Sequence, residues 1–241
     1  MNQVRAEKLL AMWERGDGER VTRKALALLA TADPGASENE LADLPIGSRD
    51  AALLDLRERL FGAHFTGRTS CPACAEQIEL TFEADELRRT AARDAAFSMR
   101  IGEYDVALRL PSTIDLEAIE ESRDIASARA ALFSRCVTSV DRDGQTASAD
   151  HLPADAIDVV AARMSELDPQ ADVAFDVDCP TCAYAWREPF DVVTFLWHEL
   201  DAAARHLLAD VHRLALAYGW SESVILALSS ARRAAYLGML E

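Results

Sequence analysis

The chain has no apolar run approaching the roughly 18 residues that a membrane span needs. Its opening stretch, MNQVRAEKLLAMWERGDGER, has no apolar core of the signal-peptide kind. A cytosolic, soluble product is the expectation. The sequence also lacks a Gly-rich phosphate loop, a Gly-x-Ser-x-Gly elbow and a His-Glu-x-x-His pair. No familiar catalytic constellation remains, so neither an enzyme nor a small-molecule substrate is expected. Positive charge is scarce: 25 Lys and Arg stand against 41 Asp and Glu, a net −16, with no basic cluster. Such a chain repels phosphates, which argues against nucleic-acid binding. Acid pairs such as Glu120–Glu121 read as solvated helix faces.

Cysteine is sparse but patterned. Five cysteines in a cytosolic chain do not make a disulfide framework. Cys136 stands alone in ALFSRCVTSV and reads as core. The other four occur in CPACAEQIELTFE, from Cys71, and CPTCAYAWREPFD, from Cys179. Each copy has Cys-Pro-x-Cys-Ala, then Phe and an acid at matching positions: Phe82 and Glu83, Phe190 and Asp191. A Cys-x-x-Cys turn presents two thiolates on one side, and zinc takes four ligands in a tetrahedron. Cys71, Cys74, Cys179 and Cys182 are therefore the expected ligands of one structural Zn2+ per chain. The flanks GAHFTGRTS, QIELTFE, DVAFDVD and YAWREPFD favour short strands, so two hairpins meeting at the metal make a zinc ribbon. The pairs are widely separated, which requires an inserted subdomain that does not touch the metal. Loop-closure entropy grows slowly enough with length to allow it. A thioredoxin-like redox site needs one pair in a βαβ setting, and a catalytic zinc keeps an open position. Neither fits two matched pairs. His198, His206 and His212 are spaced by eight and six, with no i, i+4 metal pair, and read as solvent-facing or core.

Helices are expected over 3–15 and 20–31, then a polar loop, ADPGASENELADLPIGS. Ser48 caps the next helix, which stops at Gly62 and carries Leu53, Leu56 and Leu60 on one face. ADELRRTAARDAA is a short helix or a loop, and AFSMRIGEYDVALRLPS a hairpin turning near Gly102 and Glu103. TIDLEAIEESRDIASARAALFSRCV is a helical region opened by Ser112 or Thr113, and DRDGQTASADHLP a turn-rich loop. ADAIDVVAARMSELDPQA is a helix ending before Pro169. A long helix with a 3.6-residue apolar stripe ends at Gly219, and two short helices come after it, capped by Ser221 and by Ser229 or Ser230. The class is α+β and mostly helical. Its expected segments are a helical 1–47, a helix and first zinc hairpin 48–82, an inserted 83–171, a second zinc hairpin 172–191 and a helical 192–241.

Three stretches carry a resemblance: LPIGSRDAALLDLRERLFG before the first knuckle, LRLPSTIDL, and FLWHELDAAARHLLADVHRLALAYGWSESVILALSSARRAAYL. From about Leu44 to the C-terminus the chain resembles baseplate or baseplate-hub assembly proteins of T-even-type phages and of extracellular contractile injection systems. YGWSESVILALSSARRAAYL is the most characteristic part. The resemblance implies a non-enzymatic structural or assembly part, with other baseplate, hub or spike proteins as partners. It implies a place in the cytoplasm during assembly and in the finished particle. A dissociable assembly chaperone is the alternative, and a zinc-ribbon regulator or a metalloenzyme fits less well. Within the C-terminal region Trp220, Tyr236 and Leu237, with Arg232 and Arg233, are the expected partner-binding residues. The competing reading folds the apolar ones back onto the long helix as core.

Overall fold

The computed structural model describes residues 6–90 and 94–240. Four helices open the chain: α1 (Ala6–Gly16), α2 (Val21–Ala32), α3 (Glu38–Ala42) and α4 (Ile46–Phe61). α3 lies where a polar loop was expected. Ser37 and Glu40 form a reciprocal capping box that satisfies the first N–H groups of this short turn. α4 begins at Ile46, two residues before the expected cap Ser48. The Ile46 N–H donates to the Pro111 carbonyl at 3.1 Å, and the Gly47 N–H to the Asp168 carboxylate at 2.9 Å. The cap is thus supplied from 121 residues away, where local sequence cannot reveal it. Gly62 ends the helix as expected, and Leu53 and Leu56 are buried on its inner face.

Two hairpins flank a longer excursion. The first is β1 (His64–Ser70) with β2 (Gln77–Glu83), leading into the single turn α5 (Ala84–Leu87). The rest of the ADELRRTAARDAA stretch reaches into 91–93, outside the described residues. The excursion holds β3 (Ala96–Ile101), β4 (Tyr104–Arg109), α6 (Thr113–Ile119), α7 (Ile125–Cys136), β5 (Val137–Arg142), β6 (Gln145–Thr146) and α8 (Ala156–Leu167). β3 and β4 turn at Gly102–Glu103 as expected, and the four strands form one antiparallel sheet in the order β3-β4-β5-β6. β6 and the last two residues of β5 stand where turn-rich loop was expected, and the rest of β5 follows the expected helical region; β5 pairs with β4 and buries Val140 against Val106 and Leu108. The helical region before them is two helices. α6 ends before Glu120, and Asp124 opens α7 by accepting from the Ser127 N–H. Ile101, Tyr104, Val106, Leu108, Val140 and Val160 make a small core of their own.

Asp115 anchors this excursion internally. Its fully buried carboxylate accepts from Arg109 of β4, Arg135 of α7 and the Ser112 N–H. Burial opposes the charge, but Arg109, the Ser112 N–H and Arg135 outweigh it and hold the carboxyl well below the usual range. Cys136 is buried beside this cluster, and burial pushes its thiol up to about 11. It is core, as expected. Glu120 and Glu121 are exposed, as expected, and pair there with Arg20 at the start of α2.

The second hairpin, β7 (Ala174–Asp178) with β8 (Ala185–Pro189), leads into α9 (Val192–Tyr218). The main core gathers α1, α2 and α4 around the first half of α9, with Leu28, Leu53, Leu54, Leu196 and Leu200 essentially sealed. α1 approaches α9 so closely that a Cβ on Gly16 would lie 2.4 Å from the Trp197 ring, so only glycine fits. Gly219, left-handed at φ 69°, stops α9. α10 (Glu222–Ala227) and α11 (Ser230–Gly238) then fold back on its far end, burying Leu214, Ile225 and Leu237.

Candidate metal centre

Each hairpin turns through its Cys-Pro-x-Cys-Ala stretch with the same backbone. Ala75 and Ala183 are left-handed, at φ 61° and 56°. The Ala75 N–H donates to the Cys71 carbonyl and the Cys71 N–H to the Glu76 carbonyl; Ala183, Cys179 and Tyr184 repeat both bonds, all at 2.9 Å. A non-glycine residue in this region costs about 1 kcal/mol, and two copies of it mark an imposed geometry. The turn aims amide N–H groups at sulfur: Glu76 at Cys74, Thr181 and Cys182 at Cys179, Tyr184 at Cys182.

The two turns face each other. Cys71 Sγ lies 3.7 Å from Cys182 Sγ, and Cys74 Sγ 3.6 Å from Cys179 Sγ. All four sulfurs fall within 4.8 Å of one another. A tetrahedral ion with bonds of about 2.3 Å sets its sulfurs about 3.8 Å apart, so the spacing fits a metal tetrahedron. One sulfur of each pair, Cys71 and Cys179, is buried, and Cys74 and Cys182 are exposed. Without a cation the four thiols oppose one another. Burial pushes Cys179 up, but the N–H groups of Cys182 and Thr181 outweigh it and hold it at about 7. The Glu76 N–H favours the Cys74 thiolate, yet burial and the other three sulfurs push it up to about 12. Four thiolates at this spacing need a positive ion between them. Among the described residues no histidine or carboxylate joins the cluster, which leaves the set closed. Cys136 stays beside Asp115, and His198, His206 and His212 face solvent.

Phe82 and Phe190 explain the next shared position. Their rings meet at 5.6 Å, within a cluster that includes Phe65, Phe175 and Phe195. The cluster seals the hairpins onto α9, and the Arg57 guanidinium stacks 3.6 Å from the Phe65 ring while pairing with Glu199 of α9. Thr69 also donates to Glu188 across the hairpins at 2.9 Å. The matched acids occupy equivalent places too. Asp191 caps α9, accepting from the Val193 and Thr194 N–H groups and the Thr194 hydroxyl. Glu83 stands at the cap position of α5, where its N–H donates to Glu86. That role was legible in Asp191-x-x-Thr194 ahead of an apolar run; the Arg57–Glu199 pair carried no local signal.

The residues expected to bind a partner lie elsewhere, at the far end of α9. Trp220 and Tyr236 stack with Tyr218 in an aromatic trio at 4.8–5.8 Å, and Leu237 is buried. Arg232 is exposed, while Arg233 is half-buried and donates to the Leu228 carbonyl.

Fold and site together define a mostly helical α+β protein whose two matched hairpins are closed on a four-cysteine centre. The model of the family described as T4 bacteriophage base plate protein matches residues 4–197, and the chain belongs to that family. The match takes in both cysteine pairs and reaches further towards the N-terminus than the resemblance at Leu44. It stops within α9, so the YGWSESVILALSSARRAAYL tail lies beyond it. No curated protein and no solved structure matches the chain. Membership supports a structural baseplate component that interacts with other baseplate proteins. No described helix is long and apolar enough to cross a membrane.

Proposed function

We propose that the protein is a non-enzymatic, resident part of a contractile-tail baseplate, stabilised by one structural zinc ion on Cys71, Cys74, Cys179 and Cys182. The observation carrying the baseplate role is the family match over residues 4–197. The sulfur tetrahedron, with N–H groups aimed at its thiolates, supports zinc, which favours four thiolate ligands in a closed shell. In this reading residues 48–82 and 172–191 are one unit clasped by metal, and residues 83–171 are inserted between its halves. Hub or spike subunits are the neighbours, and the C-terminal region, with Trp220, Tyr236, Leu237, Arg232 and Arg233, is the unit that meets them. The geometry gives the aromatics and Leu237 the task of shaping that unit from within.

The test is composition. Elemental analysis of purified protein should return close to one zinc per chain, and mass spectrometry of purified tails should find the chain in finished particles. A chain present only in assembly intermediates is a chaperone instead. A purified, folded protein without metal refutes the zinc.

A further inference from the structure

The two hairpins are matched, but not at every inward position. Four residues before its first cysteine the second hairpin carries Phe175, and the first carries Gly67. Six residues past its second cysteine the first carries Leu80, and the second carries Glu188. Gly67 opens onto a groove of about 550 Å³ between β1, β8 and α9, lined by Phe82, Phe175, Phe190 and Phe195. Glycine weakens a strand interior, and it marks a bulge or a place where another backbone comes close. The register of β1 on β2 runs from His64 to Ser70 without a bulge. A Cβ on Gly67 would meet nothing nearer than the Phe195 ring at 3.7 Å, and its φ is not positive, so nothing within the chain requires glycine here. The backbone beside this hole is unpaired. The Ala84 N–H donates to Ala63 and the Cys71 N–H to Glu76, one at each end of the hairpin, so Phe65, Gly67 and Thr69 are the β1 residues bonded to β2. The N–H and C=O groups of Thr66 and Arg68 point the other way. Both residues line the groove, and among the described residues no group bonds to those four. The β8 edge opposite is blunted, because Pro189 stands where an outward N–H would be. Glu188 reaches the groove from β8. Its Oε2 accepts from the Trp186 indole at 2.7 Å and the Thr69 hydroxyl at 2.9 Å, and among the described residues its Oε1 has no donor and its carboxylate no ion pair. The groove's other acids are engaged: Asp191 caps α9, and Glu199 pairs with Arg57.

We infer that the groove receives an extended segment of a neighbouring baseplate subunit. That segment adds a strand to the free edge of β1, seats an apolar side chain over Gly67 and brings a Lys or Arg to Glu188. The inference rests on the baseplate reading and adds a contact surface distinct from the C-terminal region. Each property of the occupant comes from a different feature. Unpaired N–H and C=O groups on a strand edge are matched by another extended backbone. The aromatic lining beside Gly67 takes an apolar side chain. The open carboxylate oxygen of Glu188 takes a charged donor. Gly67 and Thr69, whose hydroxyl holds Glu188, lie two residues apart on one face of β1, so the segment's apolar and basic residues are two apart as well. Both hairpins lie within residues 4–197, so the groove's strands belong to the segment that carries the family match.

The test uses assembled tails in which the photo-crosslinking residue p-benzoylphenylalanine replaces His198 or Ala202, two exposed residues of α9 that line the groove. Sequencing of the cross-linked peptides should find a segment of a different subunit with an apolar residue and a Lys or Arg two positions apart. If the chain is present in the particle but both positions attach to nothing, to another copy of the chain, or to a segment without that pair, the inference fails while the baseplate reading stands. If the chain is absent from the particle, both fail. Two variants separate docking from folding. Gly67→Leu fills the hole with a side chain for which the groove has room. It should keep its zinc and its thermal midpoint, yet enter particles roughly tenfold less. Glu188→Gln keeps an acceptor for Trp186 and Thr69 but loses the charge, and should enter particles about threefold less. Normal incorporation of Gly67→Leu overturns the inference.

Discussion

The two knuckles are alike in backbone and unlike in what they launch. Both hold alanine at positive φ, both close the same two 2.9 Å hydrogen bonds, and both end on an aromatic and then a helix-capping position. After Glu83 comes a helix of four residues; after Asp191 comes one of 27. The cysteine turn is therefore an autonomous device, indifferent to its sequel. The length of the helix after each copy depends on whether the next segment has an apolar stripe to bury. Val192, Val193, Leu196 and Leu200 supply one, whereas after Leu87 the chain leaves for the four-stranded sheet. One hairpin ends the excursion and starts the backbone of the main core; the other merely opens the excursion.

Removing the metal tests the feature the knuckles share, and gives the largest effect. Structural zinc centres of this type contribute on the order of 10 kcal/mol to folding. A strong chelator, or Cys71→Ser with Cys179→Ser, should lower the thermal midpoint steeply and detach the two hairpins together, because each supplies only half a tetrahedron. An unchanged circular-dichroism melt would show that the aromatic cluster suffices.

The caps test the feature that separates them. Asp191→Ala removes the acceptor for two N–H groups at the start of α9 and should cost about 1–2 kcal/mol. Glu83→Ala, ahead of a single turn, should cost less than half as much in denaturant titrations. Equal losses would mean that α9 is held by packing alone.

The smallest effect tests whether the knuckles are equivalent in strain. Glycine accepts positive φ without penalty, so Ala75→Gly and Ala183→Gly should each stabilise by about 0.5–1 kcal/mol, less the entropy that glycine adds to the unfolded chain. A difference between them beyond the error of the melts would break the symmetry.

By itself the sequence determined whatever depends on a few neighbouring residues. The knuckles were legible because four thiols in two Cys-x-x-Cys turns have few other uses, and α9 was legible because its apolar residues recur every 3.6 positions until Gly219. Only the tertiary structure decided what depends on distant partners. β5 became a strand because β4 was there to pair with it, and α4 began at Ile46 because Asp168 arrived to cap it. Arg57 could be buried only beside Glu199 and Phe65. Trp220 and Tyr236 show the same limit on the functional side. Local composition makes them look like partner anchors, and only the fold shows that each ring also packs on Tyr218 while staying half exposed. An apolar or charged residue declares its chemistry in the sequence; which neighbour satisfies it is settled by contacts between segments that sequence spacing does not encode.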